Sequence, residues 1–238
     1  MVKWIEVTTY EEMSRIAAEL FSKQMKANPK SVLGLATGGT PVGLYEVLVE
    51  EVKAGDISFK DITTFNLDEY VGLAKNSPAS YWTYMHETLF NHVDINEDNV
   101  HLPNGVATDL EAECENYDKR IAAAGGIDLQ LLGIGVNGHI GFNEPGTSFD
   151  SLTHVVELTE STRTENAIYF EEGAEMPTHA VTMGIQSIMN AKEIVLLAFG
   201  ERKLEAMEQL KTGKLSEDFP ASQLTTHDNI TIIYGGTK

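Results

Sequence analysis

His139 lies in the most glycine-rich stretch of the chain, LLGIGVNGHIGFNEPG (131–146), with Asn137 two residues before it and Glu144 five residues after. A neutral imidazole moves protons near pH 7, and a carboxylate beside it can orient the ring or raise its pKa. Position 137 is where a further carboxylate would look natural, and the chain has Asn there. The His–Glu spacing matches no HExxH or other ligand pattern and no cysteines cluster nearby, which argues against a metal. A histidine that merely hydrogen-bonds to loop backbone stays open as the plain alternative. A second group sits in TFNLDEYVGL (64–73), where Asp68 and Glu69 follow a β-like run. Adjacent acids at such a place can act as a general base, a metal ligand or a helix cap.

Two further stretches look suited to an anion. In GLATGGTPVGLYEVL (34–48), Gly38, Gly39 and Thr40 precede Pro41, which occupies the position proline prefers at a helix start. Glycines let backbone approach an anion, and helix N-termini offer free N–H groups. The spacing is not that of a Walker loop, so phosphate binding and a tight turn without ligand both stay open. In AFGERKLEAM (198–207), Arg202 and Lys203 fall in the first turn expected of a helix. Cations are unfavourable at that end of a helix dipole, which suggests an expected anion, with solvated surface charge as the alternative.

The elements that must carry these residues alternate along the chain. Strands are expected at 4–8, 31–36, 61–66, 99–102, 127–135, 154–158, 193–200 and 229–235. Helices are expected from the TYEE capping box at 9–12 to about Lys26, from Pro41 through Val52, from Tyr81 to Asn91 and from Asp109 to Ala124. Continuous apolar strands separated by helices imply βαβ crossovers. The expected fold is therefore a single α/β domain over residues 1–238, three-layer α/β/α with a mostly parallel, Rossmann-like sheet. Ligands bind such sheets beyond the carboxyl ends of the strands, at a topological switch point, and that is where the four stretches would lie.

Composition narrows the function classes. A net charge of −19 argues against nucleic acid and requires that any anionic ligand meet local positive potential. No segment reads as a signal peptide or membrane span, and the single Cys114 fits a reducing cytoplasm, so a cytoplasmic location without membrane partners is expected. Cys114 itself, within EAECENY, is expected to be a packed, inert thiol.

Taken together, LATGGTP, TFNLDEYVGL, SYWTYMHETLF, GIGVNGHIGFNEPG, TRTEN and THAVTMGI resemble, in order, the motifs of the glucosamine-6-phosphate deaminases. The match runs from about residue 31 to 203. The wider superfamily includes 6-phosphogluconolactonases, whose GHxASLFP-type loop is replaced here by GHIGFNEP. The resemblance implies conversion of glucosamine 6-phosphate and water to fructose 6-phosphate and ammonia, a hydrolase-class cleavage of an amino-sugar C–N bond, with no metal or organic cofactor. It implies Asp68 as the base moving a proton between neighbouring carbons and His139 as the acid/base that opens the ring. Glu144 and Asn137 would support His139, and Gly38, Gly39, Thr40 and Lys203 would bind the phosphate with a contribution from Arg163.

The chain departs from the family pattern in three places. The best-known bacterial members have Asp at the position of Asn137, which implies that His139 depends on Glu144 alone for carboxylate support. Some relatives carry an Arg where NAIYF has Ile168, which implies heavier reliance on Lys203. Allosteric hexameric relatives use basic residues where this chain has His154 and Val156, which implies an unregulated monomer or weak homo-oligomer.

Overall fold

The apolar runs become strands of a central sheet because their side chains are covered on both faces. In the computed structural model, which describes residues 2–166, 170 and 176–236, the strands are β1 (Lys3–Val7), β2 (Val32–Leu35), β3 (Thr63–Asn66), β4 (Asp68–Tyr70), β5 (Val100–His101), β6 (Leu129–Gly133), β7 (His154–Glu157), β8 (His179–Thr182), β9 (Glu193–Phe199) and β10 (Ile230–Gly235). The helices are α1 (Tyr10–Ala27), α2 (Val42–Ala54), α3 (Tyr81–Thr88), α4 (Leu110–Ala123), α5 (Glu160–Asn166), α6 (Ile185–Met189) and α7 (Leu204–Lys211).

The main sheet has the order β1-β10-β9-β6-β2-β3-β5, and every neighbouring pair is parallel. Helices cover it, giving the expected three-layer α/β/α, Rossmann-like fold. Ile194, Val195 and Leu196 on β9 are fully buried, as are Ile232 and Ile233 on β10. Burying each such side chain contributes about 1.5–3 kcal/mol. Winding reverses between β2 and β6, which pair through Leu33 with Leu129 and Gly34 with Gln130. From β2 the sheet extends to β3 and β5, and from β6 it extends the other way to β9 and β10. This is the switch point at which the glycine-rich loops after β2 and β6 meet.

Helix starts follow their side-chain chemistry. Thr9 caps α1 by accepting from the Glu12 amide at 3.0 Å, and Glu12 in return accepts from the amide of Thr8 at 2.9 Å. Asp109 caps α4 through the amide of Ala112 at 2.9 Å. Cys114 is buried on α4, and burial, reinforced by Glu113 and Asp118, pushes its thiol up to about 11. At neutral pH it therefore stays a protonated, unreactive thiol.

A second sheet was not expected. β4 pairs antiparallel with β8, bringing Asp68 opposite Thr182, and β7 pairs antiparallel with β8 on the other side. Asp68 and Glu69 are thus strand residues rather than loop residues, and 154–158 belongs to this small sheet. A three-residue strand is too short to show a period of two, so the sequence carries no pattern for β4. Tyr70, Phe142, Leu158 and Ala180 form a small core of their own beneath it. No helix among the described residues is long and apolar enough to cross a membrane.

Candidate active site

A cavity of about 680 Å³ opens at the switch point. Its wall carries Thr37, Gly38, Gly39 and Thr40 from the turn after β2, Asp68 and Tyr70 from β4, and Tyr81 and Tyr84 from α3. His139, Gly141 and Phe142 from the loop after β6 complete it, with Arg202 and Lys203 from the turn after β9. The four stretches singled out in the sequence therefore face one space, joined there by α3.

The turn at 37–40 is held by tyrosines. Tyr84 Oη donates to the Gly38 carbonyl at 2.6 Å, and Tyr10 Oη lies 3.1 Å from the Gly39 carbonyl and 3.0 Å from that of Thr40. Tyr45 Oη donates to the Ala36 carbonyl at 2.5 Å from the first turns of α2. With its carbonyls tied off, the turn offers its N–H side, and among the described hydrogen bonds none uses the amide of Gly38, Gly39 or Thr40. Such a row of amides ahead of a helix N-terminus attracts anions. Lys203 belongs to a 3₁₀ turn, Glu201–Lys203, that precedes α7, rather than to the helix's own first turn as expected. As the N-cap residue of α7 it still sets a cation at the positive end of a dipole, beside the cavity.

Asp68 is 6% exposed, and none of the described hydrogen bonds reaches its carboxyl group. Burial, followed by the charge of Glu69, pushes its pKa up to about 8. Glu69 differs because its carboxylate accepts the backbone N–H groups of Tyr70 at 2.9 Å, Tyr81 at 3.0 Å and Trp82 at 3.0 Å. Burial raises it too, and those three donors offset part of the rise. Of the two adjacent acids, Asp68 therefore holds the proton more firmly and faces the cavity, as suits an acid/base near neutral pH.

The loop after β6 places His139 by two close approaches. A Cβ on Gly135 would lie 2.2 Å from the His139 ring, and one on Gly138, at φ +83°, would lie 2.2 Å from the Phe219 ring. Only glycine lets the ring fold back over the loop while the loop packs on Phe219. Behind the ring runs a fixed chain of hydrogen bonds. Asn137 Nδ2 donates to Glu144 Oε2 at 2.8 Å, and Asn137 Oδ1 lies 2.8 Å from His139 Nδ1. A carboxylate can only accept, so Glu144 holds the amide nitrogen of Asn137 and turns its oxygen to the histidine. The histidine must then carry its proton on Nδ1, which leaves Nε2 as the atom that takes up or gives a proton. Glu144 Oε2 lies 3.7 Å from Nδ1, within ion-pair range as expected, and its hydrogen-bonded link to the imidazole runs through Asn137. Its other oxygen accepts from Thr162 Oγ1 and, at 3.4 Å, from Thr159 Oγ1, which ties the start of α5 to the relay.

The structure thus brings Asp68, His139, Gly38, Gly39, Thr40 and Lys203 to one cavity, with Asn137 and Glu144 directly behind His139. Arg163 is the exception. Thr162, Thr164 and Asn166 of α5 line the cavity and Arg163 does not, and its Nε is buried without a hydrogen-bond partner among the described residues. Ile168 lies outside the described residues. Sequence reasoning missed Tyr10, Tyr45, Tyr84, Tyr70 and Tyr81, and the threonines that hold Glu144. The only local signal was Tyr45 shortly after TGGTP and Tyr70 directly after Asp68 and Glu69. Among the described residues no three of His, Cys, Asp and Glu are grouped as a metal site.

The chain as a whole has known counterparts. Residues 7–233 match the family described as glucosamine-6-phosphate isomerases/6-phosphogluconolactonase. The chain belongs to that family. Within it, the chain is 70% identical over 237 residues to glucosamine-6-phosphate deaminase of Lysinibacillus sphaericus, covering 100% of each. A solved monomeric glucosamine-6-phosphate deaminase superposes with a TM-score of 0.95 at 50% identity, over 98% of this chain and 97% of that one. The 6-phosphogluconolactonase of Thermotoga maritima superposes with a TM-score of 0.78 at 21% identity over 100% of each chain, a likeness of fold alone.

Proposed function

We propose that this chain converts glucosamine 6-phosphate and water to fructose 6-phosphate and ammonia. The observation that carries this reading is the shared cavity, which sets a buried acid, Asp68, and a tautomer-fixed histidine beside an anion-binding turn. The phosphate sits on the amides of Gly38, Gly39 and Thr40 and on Lys203. His139 Nε2 exchanges a proton at the ring oxygen, opening the pyranose. Asp68, ionised, removes the proton from the amine-bearing C2 and returns it to C1. The enolamine becomes an imine at C2, water adds there, and ammonia leaves as the carbonyl forms. Tethering the phosphate fixes the distance to both proton-transfer groups, which is how binding contributes to rate.

The chemistry is that of an isomerising deaminase, in which hydrolysis is confined to the final imine. Substrate carrying deuterium at C2 separates this from direct displacement. The expected product is fructose 6-phosphate with the label gone from C2, and glucose 6-phosphate with the label retained would contradict the reading. Lys203→Ala is expected to raise KM by about tenfold or more with a smaller change in kcat, because the phosphate contact is present in ground and transition states alike. Steady-state kinetics checks this, and an unchanged KM would remove Lys203 from the phosphate site.

The enzyme works as a monomer in the cytoplasm without allosteric activation. A monomeric relative of the same fold supports the first point. Light scattering across a concentration series, and hyperbolic kinetics unaffected by N-acetylglucosamine 6-phosphate, are the corresponding checks.

A further inference from the structure

Glu69 is an uncommon residue to bury beside an acid that does proton transfer. It is 4% exposed and adjacent to Asp68 on β4, where a neutral residue would pack at lower cost. Its side chain leaves β4 for the start of α3. Oε1 accepts from the amides of Tyr70 and Tyr81, and Oε2 accepts from that of Trp82. Ser80, the N-cap, takes the next amide, Thr83, at 3.1 Å. The first amides of α3 are thus satisfied by a carboxylate from another element, at the end of the helix dipole that favours negative charge.

What α3 carries gives this arrangement its consequence. Tyr81 donates to Tyr70 Oη at 3.2 Å and stacks with Phe142, 6.2 Å between ring centres, on the Asp68 side of the cavity. One turn later, Tyr84 holds the Gly38 carbonyl of the anion turn. We propose that Glu69 is a positioning residue: by holding the first amides of α3, its carboxylate fixes the anion turn at a set distance from Asp68. This rests on the function proposed above for the same cavity.

Its charge has a second effect on the same neighbour. The titratable groups that face Asp68 are Glu69 and Tyr70 on β4, Tyr81 on α3 and Tyr117 on α4, with His139 and Lys203 across the cavity. Glu69 is the one whose charge adds to burial in raising Asp68. Removing that charge lowers the Asp68 pKa, so the acid limb of kcat/KM moves to lower pH.

Two variants separate reach from charge. Glu69→Asp keeps the charge but is one methylene shorter, so it withdraws from the α3 amides. It is expected to weaken binding of inorganic phosphate, read by calorimetry, by about tenfold and to leave the acid limb in place. Glu69→Gln keeps the length and loses the charge, and its acid limb is expected to fall by about one pH unit. Wild-type phosphate affinity in Glu69→Asp, or an unmoved acid limb in Glu69→Gln, would overturn the proposal. Phosphate binding needs no turnover, so a wild-type protein that releases no ammonia would defeat the functional reading while leaving the positioning role under test.

Discussion

Asp68→Asn is expected to lower kcat by about 10³-fold while leaving KM within a few-fold, because it removes the base and keeps its shape. Asparagine cannot take the C2 proton, and the only other described carboxyl group lining the cavity is that of Glu87 on α3, which is exposed. In the wild type, kcat/KM should climb with pH toward about 8 as Asp68 loses its proton. The same shift fixes a sign for stability. The folded pKa lies above the unfolded value of 3.8, so the contribution of Asp68 is complete below about pH 4 and is lost as pH rises through about 8. Asp68→Asn should therefore match wild type in Tm near pH 4 and exceed it by roughly ten degrees at pH 9. Equal Tm at both values would show that the carboxyl group is not desolvated.

Glu144→Gln is expected to cost about 10²-fold in kcat with little change in affinity for the acyclic alditol analogue of the substrate. The reason is tautomer control. Glu144 can only accept, so it fixes the amide of Asn137, and Asn137 fixes the proton on His139 Nδ1. A glutamine can also donate, which lets Asn137 turn over and present its nitrogen to the ring. The proton then moves to Nε2, the atom that must exchange with the ring oxygen. An alditol has no ring to open, so its binding should report the intact pocket. A variant with wild-type kcat would show that Glu144 has no hold on the imidazole. By the same logic, Asn137 is expected to be a working part of the relay and not a tolerated loss of charge.

Much of this was legible in the residues. Continuous apolar runs such as EIVLLAF gave the parallel strands, and TGGTP, GHIGFNEP and ERK marked the loops beyond their ends. Those cues are local, set by period, turn chemistry and helix-start preference. What stayed hidden depends on contacts across long separations. Tyr84 reaches Gly38 from 46 residues away, and Tyr10 meets the same turn from 29 residues away. β4 is too short to carry a period, so the burial that raises Asp68 could not be read from FNLDEY. Asn137 read as a missing carboxylate because its role depends on which way its amide faces, and only the position of Glu144 decides that. Arg163 read as a contributor to the phosphate site by motif position, whereas Thr162, Thr164 and Asn166 are the α5 residues that line the cavity.

The central claim is that one cavity isomerises and deaminates an amino-sugar phosphate. Its most direct test is to supply glucosamine 6-phosphate and, separately, 6-phosphogluconolactone to the purified protein and follow the products over time. The account predicts ammonia and fructose 6-phosphate in a one-to-one ratio from the first and no accelerated opening of the second. Rapid formation of 6-phosphogluconate without ammonia from the amino sugar would contradict it.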